Sequence, residues 1–292
     1  MKLIADSGST KTDWVLISNH QVVARRQTRG INPVLQTDSE ILSELDAECL
    51  TADIGRGLPS VPGGRVEHLC FYGAGCRDDQ TERMQGLLAG VFGIFGVGVA
   101  QVEVQSDLVG AARAVCGTSE GIAAILGTGA NSGLYDGQRI VQNTPALGYI
   151  LGDEGSGAVL GRRFLNALFK GQLPETLRDA FLRQSKMSLG DIIHRVYRQP
   201  MANRWLASLS PFISSQLDCP GVRQLVVGNF RDFFRCNVRP YARPDLPVGA
   251  VGSIAFHYRA QLAEAADAEG FRLGSVVQSP LEGLISYHAQ GR

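Results

Sequence analysis

The segment Ile4-Ala5-Asp6-Ser7-Gly8-Ser9-Thr10-Lys11-Thr12-Asp13-Trp14-Val15-Leu16-Ile17 constrains the chain more than any other. An apolar strand ends on an acidic residue. A turn of glycine and hydroxyl residues follows, and a second apolar strand returns. Backbone N–H groups and hydroxyls in such a turn can surround a phosphate, and Asp6 at the strand end can attract the Mg²⁺ that accompanies it. Two commoner phosphate loops do not fit. The Walker loop needs Gly-Lys-Ser/Thr opening a helix, but here Lys11 follows Thr10 and residues 14–18 read as a strand. A dinucleotide fingerprint also needs a helix after its glycines. What remains is a phosphate-binding β-hairpin, beside the plainer reading of an ordinary turn, since Ser, Gly, Thr and Asp fill turns for local reasons.

The design recurs about 120 positions later, roughly one domain length on. Residues 122–126 read as a strand, Gly127-Thr128-Gly129-Ala130-Asn131-Ser132-Gly133 as its turn, and Leu134-Tyr135 as the start of the return strand. A duplicated unit follows from this: two β-rich domains, each offering one phosphate turn.

Between and beyond the hairpins the pattern alternates. Strands are expected at 2–6, 13–18 and 21–28, then a helix opened by the capping box Thr37-Asp38-Ser39-Glu40. The Pro/Gly-rich stretch 55–64 reads as a surface loop. A buried strand covers 66–72, a helix starts near Asp78, and a strand covers 99–104. Residues 84–102 carry no charge and approach the length of a membrane span. Their glycines divide them better into a helix through Phe92, a turn and a strand. From Asp153 to about Arg239 the pattern is helical, broken at Gly171, Pro200, Pro211 and Pro220. A short strand at 248–252, a helix at 253–268, a strand at 271–277 and a terminal helix opened by Ser279-Pro280-Leu281-Glu282 complete the chain.

Composition narrows the class. The 292 residues suffice for two domains, and 44% hydrophobic with 19% charged residues is a core-forming balance. With 28 basic and 28 acidic residues the formal net charge is zero, which argues against nucleic acid or an anionic membrane as partner. The six cysteines form no C-x-x-C pair and the five histidines no metal spacing. A strand begins within the first residues, so free thiols in the cytoplasm are the expectation.

Several residues carry possible chemistry. Asp107 lies where a strand meets an alanine-rich helix. It reads either as a helix cap, worth roughly 1 kcal/mol, or as a base that takes a proton from an alcohol attacking a γ-phosphate. Gly148-Tyr149-Ile150-Leu151-Gly152-Asp153-Glu154-Gly155-Ser156-Gly157 sets two carboxylates among four glycines at a helix start. The acids favour a helix N-terminus, and the glycines imply close approach to backbone. Asp153 can also accept from sugar hydroxyls. Asn32 in Gly30-Ile31-Asn32-Pro33 is a turn residue or an amide suited to a polyol. Gly249 to Phe256 places small residues where adenine can lie, or where helix and strand pack tightly.

Together and in this order, Asp6-Ser7-Gly8-Ser9-Thr10-Lys11-Thr12, Ser106-Asp107, Gly127-Thr128-Gly129-Ala130-Asn131, Gly152-Asp153-Glu154-Gly155-Ser156 and Gly252-Ser253 resemble the N-acetylglucosamine kinase group of the BadF/BadG ATPases, within the actin–hexokinase superfamily. The resemblance covers nearly the whole chain. It implies an α/β fold of two ribonuclease-H-like domains with an interdomain active-site cleft. The first domain would span 1–106, completed by the helix 279–292, and the second 107–278 with a helical insertion. It implies ATP held by Ser9, Thr10, Lys11, Thr12, Gly127, Thr128, Gly129, Gly252, Ser253 and Phe256, with Mg²⁺ near Asp6 through water. Sugar contacts would come from Asn32, Ala130, Asn131, Ala146, Leu147, Gly148 and Asp153. Asp107 would be the base at the sugar 6-hydroxyl, and a homodimer is implied too. Departures at Ser7-Gly8-Ser9, Pro33 and Tyr149-Ile150-Leu151 bear on which sugar is used. The alternatives are a glucosamine or other hexose kinase, an ATP-driven switch acting on a partner protein, and a sugar sensor without turnover.

Overall fold

The computed structural model describes residues 1–8, 10–45, 66–77, 79–94 and 99–289. The expected loop at 55–64, the helix start at Asp78, Ser9 and residues 95–98 of the glycine turn expected after Phe92 lie outside them, and the helix itself runs on to Ile94. The chain divides into two compact units, Met1–Thr118 with Pro280–Arg292, and Ser119–Ser279.

The first unit is a five-stranded mixed sheet with helices. Its strands are β1 (Lys2–Ser7), β2 (Lys11–Ser18), β3 (Gln21–Arg29), β4 (Val66–Gly73) and β5 (Val99–Ser106), in the spatial order β3-β2-β1-β4-β5. β2 runs antiparallel to β1 and β3, while β1, β4 and β5 are mutually parallel. The helices are α1 (Asp38–Leu45), α2 (Asp79–Ile94), α3 (Asp107–Cys116) and, from the end of the chain, a helix at Leu281–Ala289. The capping box at α1 forms, with Thr37 N–H donating to Glu40 at 2.7 Å and Glu40 N–H returning to the Thr37 hydroxyl at 3.4 Å. Alternate residues of the strands face a core in which Trp14 packs against Phe71 and Phe92, with ring centroids 5.9 and 6.3 Å apart. Each such fully buried large side chain contributes roughly 1.5–3 kcal/mol.

The second unit repeats the sheet. Strands β6 (Gly121–Leu126), β7 (Ala130–Tyr135), β8 (Ile140–Thr144), β9 (Pro247–Val251) and β10 (Arg272–Val277) lie in the order β10-β9-β6-β7-β8. β7 is antiparallel to β6 and β8, and β6, β9 and β10 are parallel. This is the first unit's strand order read from the other edge.

The return strand begins at Ala130 rather than Leu134. Asn131, Ser132 and Gly133 favour turns locally, but here they pair with Ile125, Ala124 and Ala123. Pairing with a buried strand overrides the local preference. β8 had no counterpart in the sequence pattern.

Between β8 and β9 come a short helix α4 (Gly148–Leu151) and then α5 (Gly157–Phe169), α6 (Glu175–Ser185), α7 (Leu189–Tyr197), α8 (Ala202–Ala207), α9 (Ser210–Ser214) and α10 (Pro220–Phe233). A π-helical turn Phe234–Val238 continues α10. The expected helix 253–268 is divided at Tyr258 into α11 (Ser253–His257) and α12 (Arg259–Glu269). The chain ends in α13 (Leu281–Ala289). Among the described residues no helix is long and apolar enough to cross a membrane.

Candidate active site

In parallel strands with crossover helices, ligands collect at the carboxyl ends. In the first unit the ends of β1, β4 and β5 are level, since Ser7 pairs with Gly73 and Gly73 with Ser106. Asp6 lies one residue before that edge and Asp107 one residue after it. Asp6 also sits across from Asp13 on β2. Burial, then repulsion from Asp13 and Asp107, pushes the Asp6 carboxyl up to about 7, with Lys11 opposing. Burial likewise raises Asp107, against a hydrogen bond from Leu108 N–H and the charge of Arg77. The Leu108 N–H to Asp107 Oδ1 distance is 2.9 Å.

The capping alternative for Asp107 is resolved locally. Ser106 is the cap of α3, its hydroxyl accepting from Val109 N–H at 3.3 Å. Asp107 is the first helical residue.

The hairpin turn of β1 and β2 is closed by Gly8 N–H on the Lys11 carbonyl at 3.0 Å. Thr10 is exposed at this turn, and Lys11 reaches Asp13 at 2.8 Å. Thr12, expected at the ATP phosphates, turns its hydroxyl inward. It is fully buried, its hydroxyl 2.7 Å from Ser7 Oγ and donating to the Arg29 carbonyl at 3.0 Å. Ser7 in turn bonds both the carbonyl and the N–H of Ile31. The Ser7–Thr12 pair therefore stitches the hairpin to the 30–36 loop and holds Asn32 in place. Asn32 Oδ1 accepts from Val34 N–H at 3.0 Å. A Cβ at Gly75 would stand 2.4 Å from that oxygen, so the loop after β4 needs glycine there. Arg83 on α2 fastens the same loop, bonding the Pro33 and Gln36 carbonyls and Asp38.

The second unit's edge is built from backbone. Gly127 N–H donates to the Gly129 carbonyl at 3.0 Å, leaving Thr128 exposed. The first N–H groups of α5 are spent on this turn, Gly157 on Gly127 O at 2.8 Å and Ala158 on Thr128 O at 3.1 Å. Gly252 lies against it in a left-handed region at φ 123°, and a Cβ there would come within 2.3 Å of the Leu126 carbonyl oxygen. Ser253 and Phe256 follow, both exposed. Gly127, Thr128, Gly129, Gly252 and Ser253 thus converge at one strand edge.

Asp153 does not open a helix; Ser156 caps α5, accepting from Val159 N–H at 3.1 Å. Asp153 is left-handed at φ 55° and buried, and Leu147 is left-handed at φ 64°. Non-glycine residues in this region cost roughly 1–2 kcal/mol each and concentrate at functional sites. Asp153 accepts from the N–H groups of Ala130 and Gly148, while burial and neighbouring Glu154 raise its pKa. It joins the Gly127–Gly129 turn to the 146–148 loop. Ala130 therefore acts through its backbone on Asp153, its side chain being buried. Asn131 Oδ1 accepts from Ser132 N–H and Asn143 Nδ2, each at 2.9 Å.

Four residues escaped the sequence reading. Asn143 orients Asn131 from the unread β8. Asn237 in the π turn donates to Glu154 at 3.1 Å. Arg162 on α5 holds the Tyr149 carbonyl at 3.0 Å, and so the segment carrying Gly148. The charge of Arg77 bears on Asp107. None has a local motif; each becomes visible only through partners distant in sequence.

Two mixed five-stranded sheets of one strand order, each with a hairpin turn at its carboxyl edge, define an actin-like ATPase fold of the hexokinase type. No family model and no curated protein matches the chain. Among solved structures it is similar to a candidate N-acetylglucosamine kinase from Porphyromonas gingivalis, at 49% identity and a TM-score of 0.92, over 100% of this chain and 99% of that one. The chain belongs to that family, the N-acetylglucosamine kinase group. A candidate N-acetylglucosamine kinase from Chromobacterium violaceum shares the fold at 18% identity, a TM-score of 0.71 and 98% and 99% coverage. So does a hexokinase from Schistosoma mansoni solved with glucose, at 16% identity, a TM-score of 0.53 and 99% and 85% coverage.

Proposed function

We propose that the chain is an ATP- and Mg²⁺-dependent kinase acting on the 6-hydroxyl of N-acetylglucosamine or a related amino sugar. It belongs by this reading to the BadF/BadG branch and works in the cytoplasm. The observation that carries it is the placement of Asp6 and Asp107 at level strand ends, each with its pKa raised by burial. A carboxylate whose pKa moves towards the working pH is a better proton acceptor. Asp107 takes the 6-hydroxyl proton as the sugar oxygen bonds to the γ-phosphorus. The bond from that phosphorus to the bridging oxygen breaks, and its electron pair leaves with ADP.

The donors fit Mg²⁺ in a particular way. No group of three metal-ligating side chains occurs among the described residues. Mg²⁺ usually keeps several waters and binds one or two carboxylates with substrate phosphates. Asp6, repelled by Asp13 and Asp107, is such a carboxylate. When bound with ATP the ion neutralises phosphate charge. In the first unit Thr10 offers a hydroxyl for the nucleotide and Asn32 an amide for the sugar. In the second, Thr128 and Phe256 offer a hydroxyl and an aromatic ring for the nucleotide, and Asn131 and Asp153 polar groups for the sugar. The exposed Leu147 offers apolar surface for an acetyl methyl.

The test is sugar-dependent ADP release over a panel of hexoses and amino sugars, beside Asp107→Asn. Loss of a general base is expected to lower kcat by about 10²–10⁴. ATP hydrolysis that ignores both sugar and the substitution would remove the kinase reading.

A further inference from the structure

The carboxyl edge of the first unit gathers three carboxylates, Asp6, Asp13 and Asp107. Most neighbouring cations are already committed. Lys11 is paired with Asp13 at 2.8 Å, Arg29 with Glu44 at 3.6 Å, and Arg83 is held by Asp38 and two loop carbonyls. Arg77 is the exception: it is exposed and has no ion-pair partner among the described residues.

The loop that carries Arg77 is anchored from two sides. It leaves β4 level with Ser7 and Ser106, and Ala74 N–H ties it to the Ser7 carbonyl at 3.0 Å. Arg77 N–H bonds the Gly75 carbonyl at 2.9 Å, and the Arg77 carbonyl accepts from Gln80 N–H at 3.1 Å. Two residues earlier, Gly75 packs on the amide of Asn32. Arg77 thus stands on a fixed backbone, two residues beyond the glycine that packs on Asn32. Its charge also acts on Asp107, opposing the rise caused by burial.

We propose that Arg77 binds the phosphoryl group that arrives at the sugar, in flight and as the 6-phosphate of the product. This rests on the kinase reading above. A transferred phosphoryl spreads negative charge over its equatorial oxygens and needs positioned cations more than covalent help. A carboxylate-rich edge repels such a group. A planar guanidinium with fixed donors answers this by binding two phosphate oxygens at once.

The experiment compares wild type, Arg77→Gln and Arg77→Lys by calorimetry with N-acetylglucosamine and with its 6-phosphate, and by sugar-dependent ADP release. Arg77→Gln is expected to bind the 6-phosphate about 10–100-fold more weakly, keep the free sugar within about threefold, and lose about 10²–10³ in kcat. Arg77→Lys should recover part of both losses, since it restores the charge without the fork. Equal weakening of sugar and sugar phosphate would overturn the inference and leave Arg77 as loop support. Unchanged phosphate affinity and kcat would overturn it as well. Wild type that releases ADP with no sugar at all in the panel would sink the kinase reading, and this inference with it. Wild-type turnover beside a fully active Arg77→Gln would sink the inference alone.

Discussion

The two sheets share one strand order, yet their hairpins are built from different materials. In the first, the last two pairs before the turn are Asp6 with Asp13 and Ser7 with Thr12. In the second, the corresponding pairs are Ile125 with Asn131 and Leu126 with Ala130. The first hairpin is charged and stitched by side chains. The second is uncharged at its base and its turn is held by backbone, with α5 and Gly252 packed against the turn. Duplicating a scaffold copies its strand ends and turns but not its chemistry. Carboxylates enter the first hairpin's own pairs, while the second, with Asp153 beside its turn, achieves close backbone approach with glycine.

The largest effect that separates the two turns is steric. Gly252→Ala places a methyl 2.3 Å from a carbonyl oxygen at a left-handed φ of 123°. It is expected to cost about 3 kcal/mol or more, read as a fall in Tm of several degrees. At Gly8 the nearest atom to an added Cβ is 3.9 Å away, so Gly8→Ala should leave Tm within about one degree. Equal sensitivity of the two positions would break the contrast between a backbone-built and a side-chain-built turn.

Next in size is the sugar side. Asp153 spans two segments of the second unit through the N–H groups of Ala130 and Gly148. Asp153→Ala is expected to weaken sugar binding about 10–100-fold, because it removes an acceptor and frees the 146–148 loop. ATP affinity should change by less than about threefold, both measured by calorimetry. Parallel loss of sugar and ATP affinity would show that Asp153 serves the nucleotide turn instead.

Much of this arrangement was readable in advance because it depends on local rules. An apolar strand ending in Asp6, the paired Gly127-Thr128-Gly129 turn and the capping box at Thr37 are each set within a dozen residues. What escaped depends on tertiary partners. β8 is largely solvent-facing, with polar Gln142 and Asn143, and lacks the alternation that marks a half-buried strand. Asn131 to Gly133 carry turn propensity that only pairing with β6 overrides. Sequence reports the type of Thr12 and not its direction; strand alternation and the Arg29 carbonyl turn it inward. Glu154 is oriented by Asn237, brought close by a π turn that no spacing announces.

The charged edge also predicts a pH dependence centred on Asp6. An unfolded Asp titrates near its ordinary 3.8, whereas folded Asp6 titrates at about 7. Between these values the folded state binds more protons than the unfolded state. Stability therefore falls as pH rises from about 4 to 7, and the loss from this group is complete above 7. Asp6→Asn has no such titration. Its Tm should exceed wild type by more at pH 8 than at pH 5, on the order of 1–2 kcal/mol in the difference, while sugar-dependent ADP release is lost. A gap that stays constant with pH, or narrows towards pH 8, would mean the Asp6 carboxylate is not held in an unfavourable setting.

The smallest effect tests the stitching itself. Thr12→Val keeps shape and β propensity but deletes a hydroxyl that contacts Ser7 and donates to the Arg29 carbonyl. The Arg29 carbonyl loses a donor, and Ser7 keeps only its bonds to Ile31. A buried group left partly unsatisfied costs about 1–2 kcal/mol, so Tm should drop by a few degrees. The Ser7–Thr12 pair holds the loop carrying Asn32, so KM for sugar should rise modestly while KM for ATP stays near wild type. An ATP KM that rises more than the sugar KM would instead show that Thr12 serves the phosphate turn directly. The two hairpins would then be closer in kind than their register pairs imply.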